Sequence, residues 1–246
     1  MMYLSFSKFL FNRAAVLFCL MALPLLSFAH PELLSQIAQL NLQLEQRPGD
    51  AGLLLKRGDL YRRDGNYKAA GQDFTEAAKM NPLPDALAFY EGRLYLDTDR
   101  PEAALASFSQ YIEDHPGHVK TRVLRSQALL LLDRPVEAAD DLGRAIELAE
   151  NPSPALYRDQ AMALIAAGEG HWPEAASVIL CGLQRFPVEI SLLALGTDLA
   201  LARADTVSAI AFINKLPPAL QQLPEWQKRL DLATSLDEAT KKSRRL

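Results

Sequence analysis

The sequence predicts an all-α, right-handed solenoid of about five helical hairpins, closed at each end by a capping helix. Three observations predict it. Equivalent residues return every 34 positions: Gly58, Gly92 and Ser126; Tyr61, Tyr95 and Leu129; Ala70, Ala104 and Ala138; Phe74, Phe108 and Leu142; Ala77, Tyr111 and Ala145. A fixed period in the range of about 20–50 residues marks stacked repeats. Within each unit the apolar residues fall at helical spacing, as in Leu54, Gly58 and Tyr61 and then Ala70, Phe74 and Ala77, so each helix carries one apolar stripe. Pro82 and Pro116 close the first two units, because proline cannot continue a helix.

The elements follow in order. Residues 1–29 read as a secretory signal peptide: Lys8 and Arg13 are its cations, Ala14 to Leu26 its apolar stretch, and Ser27-Phe28-Ala29 its small-residue end. An apolar run of about 13 residues is short of the ~20 that span a membrane. An uncleaved anchor is the alternative. Residues 32–48 form an N-terminal cap, a single helix with Leu33, Ile37, Leu40 and Leu44 on one side. Pro48 lies 34 residues before Pro82, so this helix is the second half of a truncated unit. Full units follow at about 51–84, 85–118, 119–152, 154–187 and 189–218. In the fourth, Ala161, Ala175, Ile179 and Pro187 take the column positions, with two extra residues in the Gly168–His171 turn. In the fifth, Gly196, Leu199 and Phe212 do so, and Pro217-Pro218 ends it. A last helix, about 224–240, places Trp226, Leu230, Ala233 and Leu236 on one face as a C-terminal cap. Residues 241–246 are a basic tail. A small residue at the Gly58 and Ala70 positions lets two helices cross closely. One hairpin cannot cover its own stripe and stacked neighbours can.

The charge balance narrows the function classes. The chain has 26 Lys and Arg; the two in residues 1–29 leave 24 against 30 Asp and Glu, a net charge of about −6. That excludes a general nucleic-acid binder. Membrane contact is left to the N-terminal segment or the basic tail. Cys181 is the one cysteine beyond residue 29. It cannot form an internal disulfide and falls on an apolar stripe, where a buried small hydrophobe is expected.

No phosphate-cradling G-x-x-x-x-G-K, H-E-x-x-H, G-x-S-x-G or paired C-x-x-C pattern occurs. Asp140 and Asp141 are adjacent on a helix and point about 100° apart, so they read as a solvated face rather than an acid/base pair. An enzyme and a cofactor are therefore not expected. Cleavage after Ala29 would make His30 the mature N-terminus, where amine and imidazole can chelate copper. This is the basis of an alternative reading, an accessory protein of a metal or redox system.

The columns resemble the tetratricopeptide repeat family over most of residues 32–223. The resemblance implies a concave groove lined by the first helix of each unit. Matched position by position, the groove would present Leu55, Asp59 and Arg62, then Phe89 and Arg93, then Lys120, Gln127 and Leu130, then Arg158 and Met162. Family grooves that clamp a peptide C-terminus use lysines and asparagines; Leu55 and Asp59 stand where these are needed. First helices carry more cations than acids, whereas second helices carry Glu76, Glu102, Glu113, Glu137, Asp140, Asp141 and Glu147. Two readings follow: a basic groove tuned for an acidic or carboxylate-bearing segment, or internal pairing between first and second helices. The expectation is an exported, periplasmic, non-enzymatic scaffold that binds a protein or peptide. Secretion and an anchored form are the alternatives.

Overall fold

The computed structural model describes residues 31–243, so the signal segment, His30 and the residues after Ser243 lie outside it. Among the described residues there are thirteen α-helices and no strand. The first, α1 (Pro31–Gln46), is the N-terminal cap. Hairpins follow: α2 (Ala51–Arg63) with α3 (Tyr67–Ala77), α4 (Leu87–Asp97) with α5 (Pro101–Asp114), and α6 (Val119–Leu131) with α7 (Pro135–Leu148). Next come α8 (Pro154–Ala166) with α9 (Trp172–Arg185), and α10 (Ile190–Ala202) with α11 (Thr206–Asn214). A single turn, α12 (Pro218–Gln221), leads into α13 (Pro224–Ser243). The turn of the fourth hairpin, longer by two residues, contains a 3₁₀ turn, Glu169–His171. No described helix is long and apolar enough to cross a membrane.

Local chemistry sets the helix ends. Asp50, Asn66, His118 and Asp205 accept backbone N–H bonds in the first turns of α2, α3, α6 and α11, satisfying donors that have no intrahelical partner. Pro101, Pro135 and Pro154 open α5, α7 and α8, where a missing N–H costs nothing. The turn inside each hairpin passes through a left-handed residue: Gly65, Asp99, Asp133, Gly168 and Ala204. In four of them the next residue's N–H reaches back to close the first helix: Asn66 to Tyr61 O, Arg100 to Tyr95 O, Arg134 to Leu129 O and Asp205 to Ala200 O, at 2.8–2.9 Å. This is the Schellman closure.

The core repeats with the period. Ala70, Ala104, Ala138, Ala175 and Ala209 are each fully buried. Opposite them runs a small-to-large pairing. A Cβ on Gly58 would stand 2.4 Å from the Phe74 ring, and one on Gly92 2.5 Å from the Phe108 ring. Where the large residue is Leu142 or Ile179, the small one is Ser126 or Ala161. The fifth hairpin departs by one residue from the sequence reading. Ala204 is its left-handed turn and follows Thr197 at the spacing by which Gly65 follows Gly58. Thr197 and Ile213, both buried, therefore take the crossing positions, and Gly196 packs beside them, where a Cβ would stand 3.0 Å from the Phe212 ring.

First helices touch one another along the array, α2 on α4, α4 on α6 and α8 on α10. Each second helix packs mainly on the first helices flanking it. The first helices therefore line the inner side of the stack.

Candidate functional site

The inner face divides into two paired ends and an open middle. At the N-terminal end Asp59 accepts from Arg62 and Arg93, each at 2.9 Å, and Arg62 also pairs with Asp97. The side chains of Arg62 and Arg93 are only 10% and 18% exposed. Burial opposes the charge on Arg62, and its bonds to Asp59 and Asp97 outweigh that, so its pKa is raised. Burial, with Arg62 nearby, holds the Arg93 pKa below its ordinary value despite Asp59. At the C-terminal end Arg229 of α13 grips Asp198 of α10 with two bonds of 2.7 and 2.8 Å.

Phe89 is a hub in the seam between hairpins. Its ring lies 5.5 Å from Tyr90, 5.5 Å from Tyr111 and 5.4 Å from His118. The Arg93 guanidinium stands 5.5 Å and the Lys120 ammonium 6.0 Å from its centroid, within cation–π reach. His115 stacks on Tyr111 and meets Asp85 at 3.0 Å. Nδ1 of His118 accepts from the Thr121 hydroxyl at 2.6 Å and the Thr121 N–H at 3.3 Å. Burial chiefly, then His115 and Lys120, lower the His118 pKa.

Between the paired ends the face is open. Gln127, Leu130 and Met162 are exposed, Leu130 by 41% and Met162 by 50%. Lys120 is exposed, and Arg158 bonds only its neighbour Asp159, at 2.8 and 3.0 Å. A cleft of about 420 Å³ lies nearer the N-terminus, where Gln36, Gln39 and Gln43 of α1 face Lys56, Asp59 and Tyr90.

Of the ten expected groove residues, Phe89, Arg93 and Lys120 are thus brought together, as are Asp59 and Arg62. Gln127, Arg158 and Met162 stand apart from these. Leu55 is not available to a partner: it is 5% exposed and packs in the cluster of Leu44, Leu54, Ala70 and Phe74. The same cluster holds Ala77 of α3 and Leu87 and Leu94 of α4, so packing with neighbouring helices takes up a residue that the column match leaves free.

Two further expectations are corrected. Cys181 is exposed, because the buried stripe of α9 runs through Ala175, Ile179, Gly182 and Leu183. Asp141 is not solvated: its side chain is 5% exposed and it accepts from Arg125 at 2.6 and 2.7 Å and from Arg122 at 3.5 Å. The 100° between adjacent residues leaves Asp140 outside and turns Asp141 inward. Arg57 grips Asp73 in the same way. Part of the first-helix charge is therefore paired within the solenoid. Leu130, which the column match also names for the groove, is 41% exposed.

Among the described residues no group of three or more His, Cys, Asp or Glu could hold a metal ion. His30 lies outside them.

Comparison with known proteins places this geometry. The tetratricopeptide repeat model matches residues 55–117 and 89–155. No curated protein matches the chain in sequence. Solved structures match in fold. PilW, a widely conserved type IV pilus biogenesis factor, superposes with a TM-score of 0.63 at 19% identity, covering 81% of this chain and 91% of that one. YrrB, a tetratricopeptide repeat protein with an unusual peptide-binding site, gives 0.62 at 17% identity, covering 81% and 97%. PilF of Pseudomonas aeruginosa gives 0.61 at 17% identity, covering 80% and 89%.

Proposed function

We propose that this chain, a tetratricopeptide repeat protein across residues 55–155, is a non-enzymatic scaffold that holds a segment of another protein on the middle of its inner face. The observation that carries the reading is the division of that face. Asp59 with Arg93, and Asp198 with Arg229, are already paired, while Gln127, Leu130 and Met162 stand open between them. Exposed Leu and Met beside an amide and two cations suit an apolar anchor with carboxylates near it. Lys120 and Arg158 would meet the carboxylates. The fold neighbours are consistent with this: one is described by its peptide-binding site and another by pilus biogenesis. With residues 1–29 read as an export signal, the scaffold acts in the cell envelope, on its periplasmic side.

The test is photo-crosslinking in the envelope fraction from a crosslinker at Gln127. A discrete protein adduct is expected. Leu130→Asp with Met162→Asp should reduce it at least tenfold, and Asp140→Lys on the outer side should leave it unchanged. Loss with Asp140→Lys and not with the Leu130 and Met162 changes would move the partner to the outer face and end this reading.

A further inference from the structure

One column of the first helices faces outward, into the seams between neighbouring second helices. In α2 it is Arg57, whose guanidinium donates to Asn41 of α1 at 2.9 Å and to Asp73 of α3 at 2.6 and 2.9 Å. In α6 it is Arg125, which donates to Ser109 of α5 at 3.3 Å and to Asp141 of α7 at 2.6 and 2.7 Å. Both arginines have their partners 16 residues before and 16 after. A guanidinium thus fills each of these two seams, and polar acceptors form its walls. The two side chains are still 22% and 23% exposed, so the seams open to solvent.

The unit between them reverses the charge. Glu91 of α4 stands 34 residues after Arg57 and 34 before Arg125, just ahead of the crossing residue Gly92. The residues 16 before and after it are Thr75 of α3 and Ser107 of α5. The seam between α3 and α5 therefore has a carboxylate for its floor and hydroxyls on its walls. Glu91 is half-buried, and among the described residues no hydrogen bond or ion pair reaches its carboxylate. Burial raises its pKa, and no cation opposes the rise. The cations of this region are engaged or distant. Arg57 holds Asp73, Arg93 holds Asp59, Lys79 holds Glu76, and Arg100 lies over the Tyr95 ring. Lys68 stands about two helical turns before Thr75.

We propose that the α3–α5 seam receives an arginine side chain of a partner protein from the outer side, its guanidinium pairing with Glu91 between the hydroxyls of Thr75 and Ser107. Charge complementarity decides the chemistry. A half-buried carboxylate without a partner costs stability, and the seams on either side show that this position accommodates a guanidinium. A planar fork can take both carboxylate oxygens and still donate to hydroxyls, which a point-like ammonium does less well. One carboxylate is too little charge to hold a divalent ion without further acids. Glu102 and Glu113 of α5 are exposed on the same outer side, so a basic segment is drawn toward it. This is a second contact, separate from the inner face and independent of what binds there.

The probe is the peptide acetyl-Gly-Gly-Arg-Gly-Gly-amide, titrated at low salt into the full chain labelled for amide NMR. The same peptide with citrulline, which has the shape of arginine without its charge, is the contrast. The arginine peptide should shift the Thr75, Glu91 and Ser107 amide signals saturably, and the citrulline peptide should shift none. Glu91→Gln should weaken binding at least tenfold while its thermal midpoint stays at or above that of the native chain, because it removes a buried charge that has no partner. Asp140→Asn, at an exposed acid of the outer side, should bind as the native chain does. The proposal is overturned if no shift saturates, if the two peptides act alike, or if Glu91→Gln binds unchanged. Shifts spread evenly over the acids of α5 and α7 would mean general attraction to an acidic surface, and a lowered midpoint for Glu91→Gln would mean that the carboxylate is paired within the chain; either result also overturns it.

Discussion

At the scale of single residues, the crossing point of each hairpin is a matched pair. Gly58 exists because the Phe74 ring occupies the space of its missing Cβ, and Gly92 stands likewise to Phe108. Gly58→Ala should therefore cost about 1–3 kcal/mol by overpacking. Phe74→Leu should cost on its own through a cavity, yet Leu142 lives opposite Ser126 in the third unit. The double variant Gly58→Ala/Phe74→Leu should be more stable than the sum of the single changes predicts, by about 1 kcal/mol or more. Denaturant unfolding of the four proteins measures this; strict additivity would mean that the pair is not coupled. Adjacent acids give a second contrast. Asp141→Asn breaks a buried pair with Arg125 and should destabilise by about 2 kcal/mol, less than the 3–5 of a fully buried pair because Arg125 reaches solvent. Asp140→Asn should change stability by less than about 0.5 kcal/mol. Equal effects would contradict the inward turn of Asp141.

At the scale of elements, α6 depends on an unusual cap. His118 can accept the Thr121 N–H only through an unprotonated Nδ1. Its pKa is lowered from the ordinary 6.5 in the folded chain. A lowered folded pKa gives stability that is present above about pH 6.5 and is lost as pH falls toward the folded value. Thermal midpoints between pH 7.5 and 5 should therefore fall more steeply for the native chain than for His118→Asn, whose amide caps without titrating. Parallel curves would show that the cap does not titrate. The elements themselves were largely legible in the sequence, because caps, prolines and the 34-residue columns are local signals. The fifth hairpin was not. Gly196 and Phe212 are plausible column residues, and only the left-handed turn at Ala204 shows that Thr197 and Ile213 hold the crossing.

For the whole molecule, stability is a sum over neighbours rather than a property of one core. The last layer is α13, which buries Trp226 and Ala233 against α10 and α11. Trp226→Ala should cost about 3 kcal/mol or more. The loss should be local: hydrogen exchange should quicken in α10, α11 and α13 while α2 to α5 keep their protection. Uniform loss of protection across all hairpins would mean that the array unfolds as one unit.

The sequence by itself determined the all-α class and the hairpin period. These follow from spacing, and spacing is a property of the chain alone. Lys120, Gln127 and Met162, which it offered for a groove, are exposed in the structure. What the tertiary structure decided is which of the candidate charges are free. Arg62 and Arg93 look available until Asp59 and Asp97 arrive from neighbouring turns and helices. Leu55 looks exposed until it is seen in the core cluster with residues of α3 and α4, and Cys181 looks buried until the stripe of α9 is seen to pass beside it. The reason is physical. A column match gives the direction of a side chain, but its exposure and its ionic partners depend on helices packed from other units, whose relative placement no local pattern encodes.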